Sequence, residues 1–298
     1  AIAPEEASGR LLKKTVGLRT VELVTEKGKP PSPGLPNGTS FYFRVNGMPI
    51  FAKGANVIPS HVFPTEEWKS NDRWSWLLQQ AADANMNMVR VWGGGRYQPD
   101  EWYEMASRLG LMVWQEMIFA CALYPTDKNF LSLVGREVRE QVSRLANHPS
   151  IVIWGGNNEN EAALNWYQQS RNNRDLYLAD YVALYVDTVM PAIRAADYEG
   201  RPSVDTSPSN GVISQPDPYV KRWGKTSTKA DPSAGSWGDI HYYNYQADCE
   251  DPSTYPLARF VSEHGFQSFP AFDTYSKVTA SADWSRESHF SEFRMRHP

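Results

Sequence analysis

The chain has 298 residues, 41% hydrophobic and 21% charged, enough for one large globular domain or a domain with a fragment of another. A net charge of −4 and a pI near 5.9 leave no electrostatic case for nucleic acid or an anionic membrane as partner. Two cysteines, Cys121 and Cys249, imply no disulfide framework, and no apolar run reaches membrane-spanning length.

Residues 1–40 differ from the rest. "TVGLRTVELV" (15–24) is strand-like, and the Pro/Gly/Ser-rich "EKGKPPSPGLPNGTS" after it reads as a linker that contains the sequon Asn37-Gly38-Thr39. One strand is not a domain, so these residues are expected to be the tail of a β-rich module. From residue 41 to 298, short apolar runs alternate with helical periods, as parallel βα units do. A strand is predicted near 50–54 and a helix over about 65–83, with Trp74, Leu77, Leu78 and Ala81 on one face. "MVRVW" is the second strand, ending at Trp92, with "GGG" (93–95) behind it as a loop that lets backbone approach the site. Pro99 to Leu109 is a helix stopped by Gly110, "LMVWQEM" the third strand, and 128–147 a helix with Val134, Val138, Val142 and Leu145 in register.

"IVIWGGNNENE" (151–161) is the fourth strand, an apolar run that ends in a dense cluster of amides and carboxylates. A long amphipathic helix over 175–197 carries Leu176, Tyr181, Leu184 and Val189. Strands follow at 201–207, 237–245 and 258–266. Seven βα-type strands in one sheet point to a (β/α)8 TIM barrel whose last strand is missing or unrecognised. A doubly wound sheet fits less well, because no Gly-rich phosphate loop follows the first strand.

A barrel of this kind places its chemistry at the carboxyl ends of the strands. Those ends present Lys53 and Asn56, Arg90 and Trp92, Gln115 and Glu116, Asn158, Glu159 and Glu161, His241, Tyr243 and Tyr245, then Glu263 and His264. Either Glu159 or Glu263 alone would read as a strand-end salt bridge. As a pair, with Arg90 and Tyr243 to orient a carboxylate, they suit a retaining glycosidase, in which one carboxyl attacks the anomeric carbon and the other protonates the leaving oxygen. Trp154 and Trp166 are candidates for the apolar wall of such a pocket, and His241 for a hydrogen bond to substrate. No H-E-x-x-H or G-x-S-x-G motif occurs, so neither a metal nor another cofactor is expected. Cys121, within "MIFACALYP", reads as a structural residue in apolar surroundings.

"NMNMVRVWGGGRY", "WQEMIFACALYPTD", "HPSIVIWGGNNENE", "GDIHYYNY" and "ARFVSEHGFQSFP" together resemble glycoside hydrolase family 2, and within it the animal lysosomal β-mannosidases. The resemblance runs over nearly the whole chain. It implies a retaining exo-hydrolase that removes β-linked mannose from the non-reducing ends of oligosaccharides, in the lysosome. By that resemblance Glu159 is the acid/base, Glu263 the nucleophile and Asn158 the partner of the sugar 2-hydroxyl. Tyr243 then touches the nucleophile, and Trp92, Trp154 and Trp166 are subsite walls. The chain departs from the family pattern at Val57, Glu116, His264 and Phe266, which bear on pocket shape. The resemblance also implies a longer polypeptide, with a jelly roll, immunoglobulin-like modules and the last barrel strand as partners of this chain.

Overall fold

The computed structural model describes residues 15–28, 38–69, 71–209, 238–265 and 269–294. Asn37 of the sequon and Phe266 lie outside the described residues. Two compact units form: residues 1–241 with 256–263, and residues 242–255 with 264–298.

The larger unit begins with an antiparallel sheet in which β1 (Val21–Val24) pairs with β2 (Tyr42–Val45), and β2 with β3 (Met48–Ile50). This sheet runs through the boundary expected at residue 40. It also takes residues 48–50 away from the first parallel strand, which lies at β4 (Gly54–Val57) rather than near 50–54. The apolar content of "PIFA" marked a strand correctly but not its partner. Asn46-Gly47, both at positive φ, is a tight turn that favours the antiparallel return.

Five parallel strands make the second sheet: β4, β5 (Met88–Val91), β6 (Met112–Glu116), β7 (Ile151–Gly155) and β8 (Ser203–Val204), neighbours in chain order. The seven strands expected in one sheet are therefore five. β9 (Asp239–Tyr243) and β10 (Phe260–Gly265) pair separately as a two-stranded sheet.

The side chains of these strands divide between two cores. Val89, Val91, Val113, Ile151 and Trp154 join the helix-side core, against Val134, Val138, Val142 and Leu145 of α4 (Lys128–Leu145). Met88, Trp114, Val152 and Val204 face the other way and are plugged by Phe41 and Phe43. Phe260 packs on this plug, 5.3 Å from Phe41 between ring centroids. Arg90 is two residues beyond Met88, and Glu116 two beyond Trp114. The strands thus lift a polar layer directly above an apolar floor.

The helices between strands follow their caps. α1 (Pro64–Lys69) and α2 (Asn71–Asp83) cover the expected 65–83, with Trp74 and Leu78 buried but Leu77 exposed. α3 (Asp100–Leu109) stops at Gly110 in the left-handed conformation, φ 72°. The Asp127 side chain caps α4 by accepting from the amides of Asn129 and Phe130. Helix Arg174–Ala196 is long and apolar enough to cross a membrane, which the sequence reading did not foresee. Here Tyr181, Leu184, Tyr185, Val189 and Ile193 are buried in the core, while Leu176, expected on the buried face, is exposed.

The smaller unit is held by aromatic contacts, such as Phe272 edge-on to Trp284 at 5.0 Å and Tyr275 edge-on to Phe290 at 5.8 Å.

Candidate active site

Arg90 organises the polar layer. Its side chain is buried. Nη1 donates to Glu263 Oε1 and to Asn56 Oδ1 at 2.6 Å; Nη2 donates to Asn158 Oδ1 at 2.8 Å and Glu116 Oε1 at 2.6 Å; Nε donates to Glu116 Oε1 at 3.1 Å. Burial works to lower the Arg90 pKa, but the charges of Glu116 and Glu263 outweigh it and push the guanidinium above its ordinary range. Arg90 also lies over the Trp114 ring, 5.9 Å from its centroid.

Glu116 is fully buried and its second oxygen, Oε2, accepts the amide of Gly93 at 2.7 Å. Burial pushes this carboxyl up to about 7 against the opposing pull of Arg90. Gly93 has no alternative to glycine, since a Cβ there would meet the Phe119 carbonyl oxygen at 2.5 Å and the Met117 carbonyl oxygen at 2.9 Å. The Trp92 ring lies over Gly94 in the same way. The "GGG" loop thus brings backbone onto Glu116, as expected of it.

Past β7 the polar cluster divides into scaffold and site. Asn157 is scaffold: Nδ2 donates to the Asp205 carbonyl at 2.8 Å, and Oδ1 accepts from the Asn160 amide and the Thr206 hydroxyl. Asn160 donates to the Ala122 carbonyl at 2.7 Å, and Glu161 is wholly buried. Glu159 is site. Its backbone sits in the left-handed region, φ 61°, held by Glu159 N donating to the Ser207 carbonyl at 2.8 Å. Cys121 is also left-handed, φ 54°, and the two strained residues touch. Cys121 Sγ donates to Glu159 Oε2 at 3.4 Å and accepts from Asn158 Nδ2 at 3.4 Å. Its surroundings are therefore polar, contrary to expectation. Burial, then the Glu159 charge, push the thiol up to about 12, so it stays a neutral hydrogen-bond donor.

Glu159 Oε1 and His241 Nδ1 share a hydrogen bond of 2.6 Å, and the same nitrogen lies 3.4 Å from Glu263 Oε2. One oxygen of each carboxylate and a ring nitrogen of His241 all lie within 4.8 Å of one another. Partial burial tends to raise the Glu159 pKa, but the His241 bond and charge, with Cys121 and Arg90, hold it below the usual carboxylate range.

The structure brings together Asn56, Arg90, Glu116, Asn158, Glu159, His241 and Glu263 from the expected strand ends, and adds Cys121. It does not bring in Trp154. That ring is fully buried on the helix side, where Nε1 donates to Asp197 Oδ2 at 3.0 Å, so it is core and not a subsite wall. Gln115 likewise points to the helix side, accepting from the Tyr103 hydroxyl at 2.5 Å. Lys53 is exposed, with its backbone bonded to Asn87. Trp92 is partly exposed beside Gly94, and Trp166 is exposed and edge-on to Tyr167, whose hydroxyl donates to the Cys121 carbonyl at 2.7 Å. Tyr243 is half exposed and belongs to the smaller unit.

The sequence reading did not single out Ser207, Asp239 and Ser262, which back His241. Asp239 and His241 are two apart on β9 and share a face. A carboxylate at the start of "DIHYY", two residues before His241, was the available signal.

No protein-family model matches the chain. The chain is 45% identical over 284 residues to the β-mannosidase of Rattus norvegicus and 46% over 282 residues to that of Capra hircus. It is 36% identical over 292 residues to a probable β-mannosidase of Caenorhabditis elegans. These matches cover 94–97% of the chain but about 30% of each relative, so the chain spans under a third of the length of the curated proteins it resembles. Among solved structures, the β-D-mannosidase of Dictyoglomus thermophilum superposes with a TM-score of 0.70 at 33% identity, over 95% of this chain and 31% of that one. An exo-chitosanase from Amycolatopsis orientalis, 16% identical with a TM-score of 0.56 over 90% of this chain and 27% of that one, shares the fold.

Proposed function

We propose that this chain, a stretch similar to the β-mannosidases of glycoside hydrolase family 2, carries the catalytic centre of a retaining exo-β-mannosidase. Its five parallel strands are then part of a (β/α)8 barrel, and β1 to β3 belong to the end of a preceding sandwich module. Its substrate is the non-reducing end of a β-mannose-bearing oligosaccharide, and its compartment the lysosome. The rest of a longer polypeptide is its partner.

One observation carries this function. Two carboxylates with oxygens within 4.8 Å of each other sit in different electrostatic settings. That spacing suits double displacement, which needs carboxyls roughly 5–5.5 Å apart, and leaves no room for the water of an inverting mechanism. Glu263, ion-paired to Arg90, attacks the anomeric carbon. Glu159 protonates the departing oxygen, then removes a proton from the water that frees mannose. Asn158, held by Arg90 and Cys121, grips the sugar hydroxyl beside the reacting carbon.

The test is hydrolysis of p-nitrophenyl β-D-mannoside beside its galacto and glucurono counterparts. It is run on this chain and on a version extended to the relatives' length. Glu263→Ala should abolish turnover and azide should restore it; turnover unchanged by Glu263→Ala ends the mechanism. Preference for the galacto or glucurono compound reassigns the sugar and keeps the chemistry.

A further inference from the structure

His241 touches Glu159 with one ring nitrogen, and its other nitrogen lies on a buried polar chain to which the mechanism above assigns no task. His241 Nε2 is 3.1 Å from Ser207 Oγ, and Ser207 Oγ is 2.6 Å from Asp239 Oδ2. Asp239 is fully buried, and both its oxygens accept. Oδ1 takes the Ser209 amide at 2.7 Å and the Ser209 hydroxyl; Oδ2 takes the hydroxyls of Ser207 and, at 2.5 Å, Ser262. A carboxylate offers acceptors alone, so four donors fit its ionised form.

Counting hydrogens then fixes the chain's direction. A serine hydroxyl has one hydrogen. At 2.6 Å from a carboxylate oxygen, the Ser207 hydrogen must lie between the two atoms. Ser207 Oγ can then only accept from His241 Nε2, which must carry a hydrogen. At its other end His241 Nδ1 faces Glu159 Oε1 at 2.6 Å, and a carboxylate oxygen accepts there too. With Glu159 ionised, as its position below the usual carboxylate range favours, both ring nitrogens carry hydrogen.

We propose that Asp239 and Ser207 are positioning residues that act through His241, keeping it doubly protonated so that His241 and Glu159 share one transferable proton as a coupled pair. The inference rests on the glycosidase reading of Glu159. As the substrate binds, the Nδ1 hydrogen passes to Glu159 Oε1. His241 becomes neutral and keeps its Nε2 hydrogen on Ser207, while Glu159 becomes the neutral acid. That hydrogen moves to the glycosidic oxygen as the carbon–oxygen bond breaks and its electron pair leaves with the oxygen, restoring the Glu159 carboxylate. In the second half-reaction Glu159 takes a proton from the attacking water and returns it to His241 Nδ1. The charged and titratable groups facing the pair are Arg90 from β5, with Glu116 behind it from β6, Cys121 from the loop after β6, Asp239 on β9 and Glu263 from β10.

The shared proton makes a prediction opposite in sign to simple ion pairing. If His241 only stabilised an ionised Glu159, weakening His241 would raise the acid's pKa and move the basic limb of kcat/KM to higher pH. If the pair titrates as a unit, weakening the imidazolium releases the last proton earlier and moves that limb to lower pH. Ser207→Ala is therefore expected to move the basic limb down while kcat at the optimum falls by less than about tenfold. Ser207→Thr, which keeps the hydroxyl, is expected to restore the parent profile. An unmoved or raised limb in Ser207→Ala overturns the proposal. Asp239→Asn supplies a second variant, with thermal unfolding checking that each is folded.

A readout independent of turnover is nitrogen NMR of 15N-histidine-labelled chain, with the His241 signals identified by their loss in His241→Gln. Both ring nitrogens should fall in the protonated range in the parent, and shift toward a neutral tautomer in Ser207→Ala at the same pH. One protonated nitrogen in the parent overturns the relay even if mannoside is hydrolysed. No hydrolysis by the parent overturns the glycosidase reading and leaves the NMR result standing.

Discussion

Replacing Glu116 by Gln isolates a single buried carboxyl whose pH behaviour has a definite sign. Glu116 is fully buried, with Arg90 on one oxygen and the Gly93 amide on the other. Burial pushes it from 4.5 up to about 7. Between those values the folded chain holds a proton that the unfolded chain has released. Its contribution to stability is fully present below about 4.5, falls as pH rises and is gone above about 7. At 1.36 kcal/mol per pH unit the swing is on the order of 3 kcal/mol. Gln cannot ionise and lacks the swing. It carries a constant cost instead, because its amide NH2 must face either Arg90 or the Gly93 amide, both donors, at about 1–3 kcal/mol. Urea unfolding of parent and Glu116→Gln at pH 5 and pH 8 measures the difference directly, since other titrating groups cancel between the two proteins. The gap should move in favour of the variant by up to about 3 kcal/mol on going to pH 8. A gap that is constant, or that moves toward the parent, would show that Arg90 wins over burial and refute the reasoning.

Trp154→Phe removes one buried hydrogen bond to Asp197 and a little volume, so it should lower stability by about 1–3 kcal/mol and leave KM for p-nitrophenyl β-D-mannoside unchanged. A raised KM at unchanged stability would return Trp154 to the subsite wall. Gly93→Ala drives a Cβ to within 3 Å of two backbone carbonyl oxygens, which cannot move aside as a side-chain tip would. It should destabilise by at least about 2 kcal/mol, measured by thermal unfolding, and loosen the Glu116 contact so that kcat falls as well.

The sequence legibly carried the parallel strands at 88–91, 112–116 and 151–155, because a strand buried on both faces reads as a near-continuous apolar run. It also carried which carboxylates come together, Glu159 and Glu263, because both were read at strand ends. It misplaced the first parallel strand, since "PIFAKGAN" contains two short strands with different partners and no composition change between them. Trp154 was misread for a related reason. An all-apolar strand shows no alternation, so the face a tryptophan takes is set by register, and register is a property of the paired strand. The backing of His241 was hidden more deeply. Ser207, Ser209, Asp239 and Ser262 come from three chain segments that meet only in the fold, and serine is too common for its position to stand out.

The two carboxylates differ most in the cation each is given. Glu263 is held by Arg90, whose charge is permanent at any pH the fold survives and is reinforced by Glu116. On the proposed mechanism Glu263 is the nucleophile, which has no need to become neutral, and Arg90 gives it a cation that does not titrate. Glu159 is held by His241, the one cationic side chain type that gives up its charge near neutral pH. An acid/base must change protonation twice in each turnover, and a partner that can lose and regain a proton allows that without leaving an unpaired buried charge. On the proposed mechanism, the arrangement of Arg90 and His241, more than the identity of the two glutamates, divides their labour.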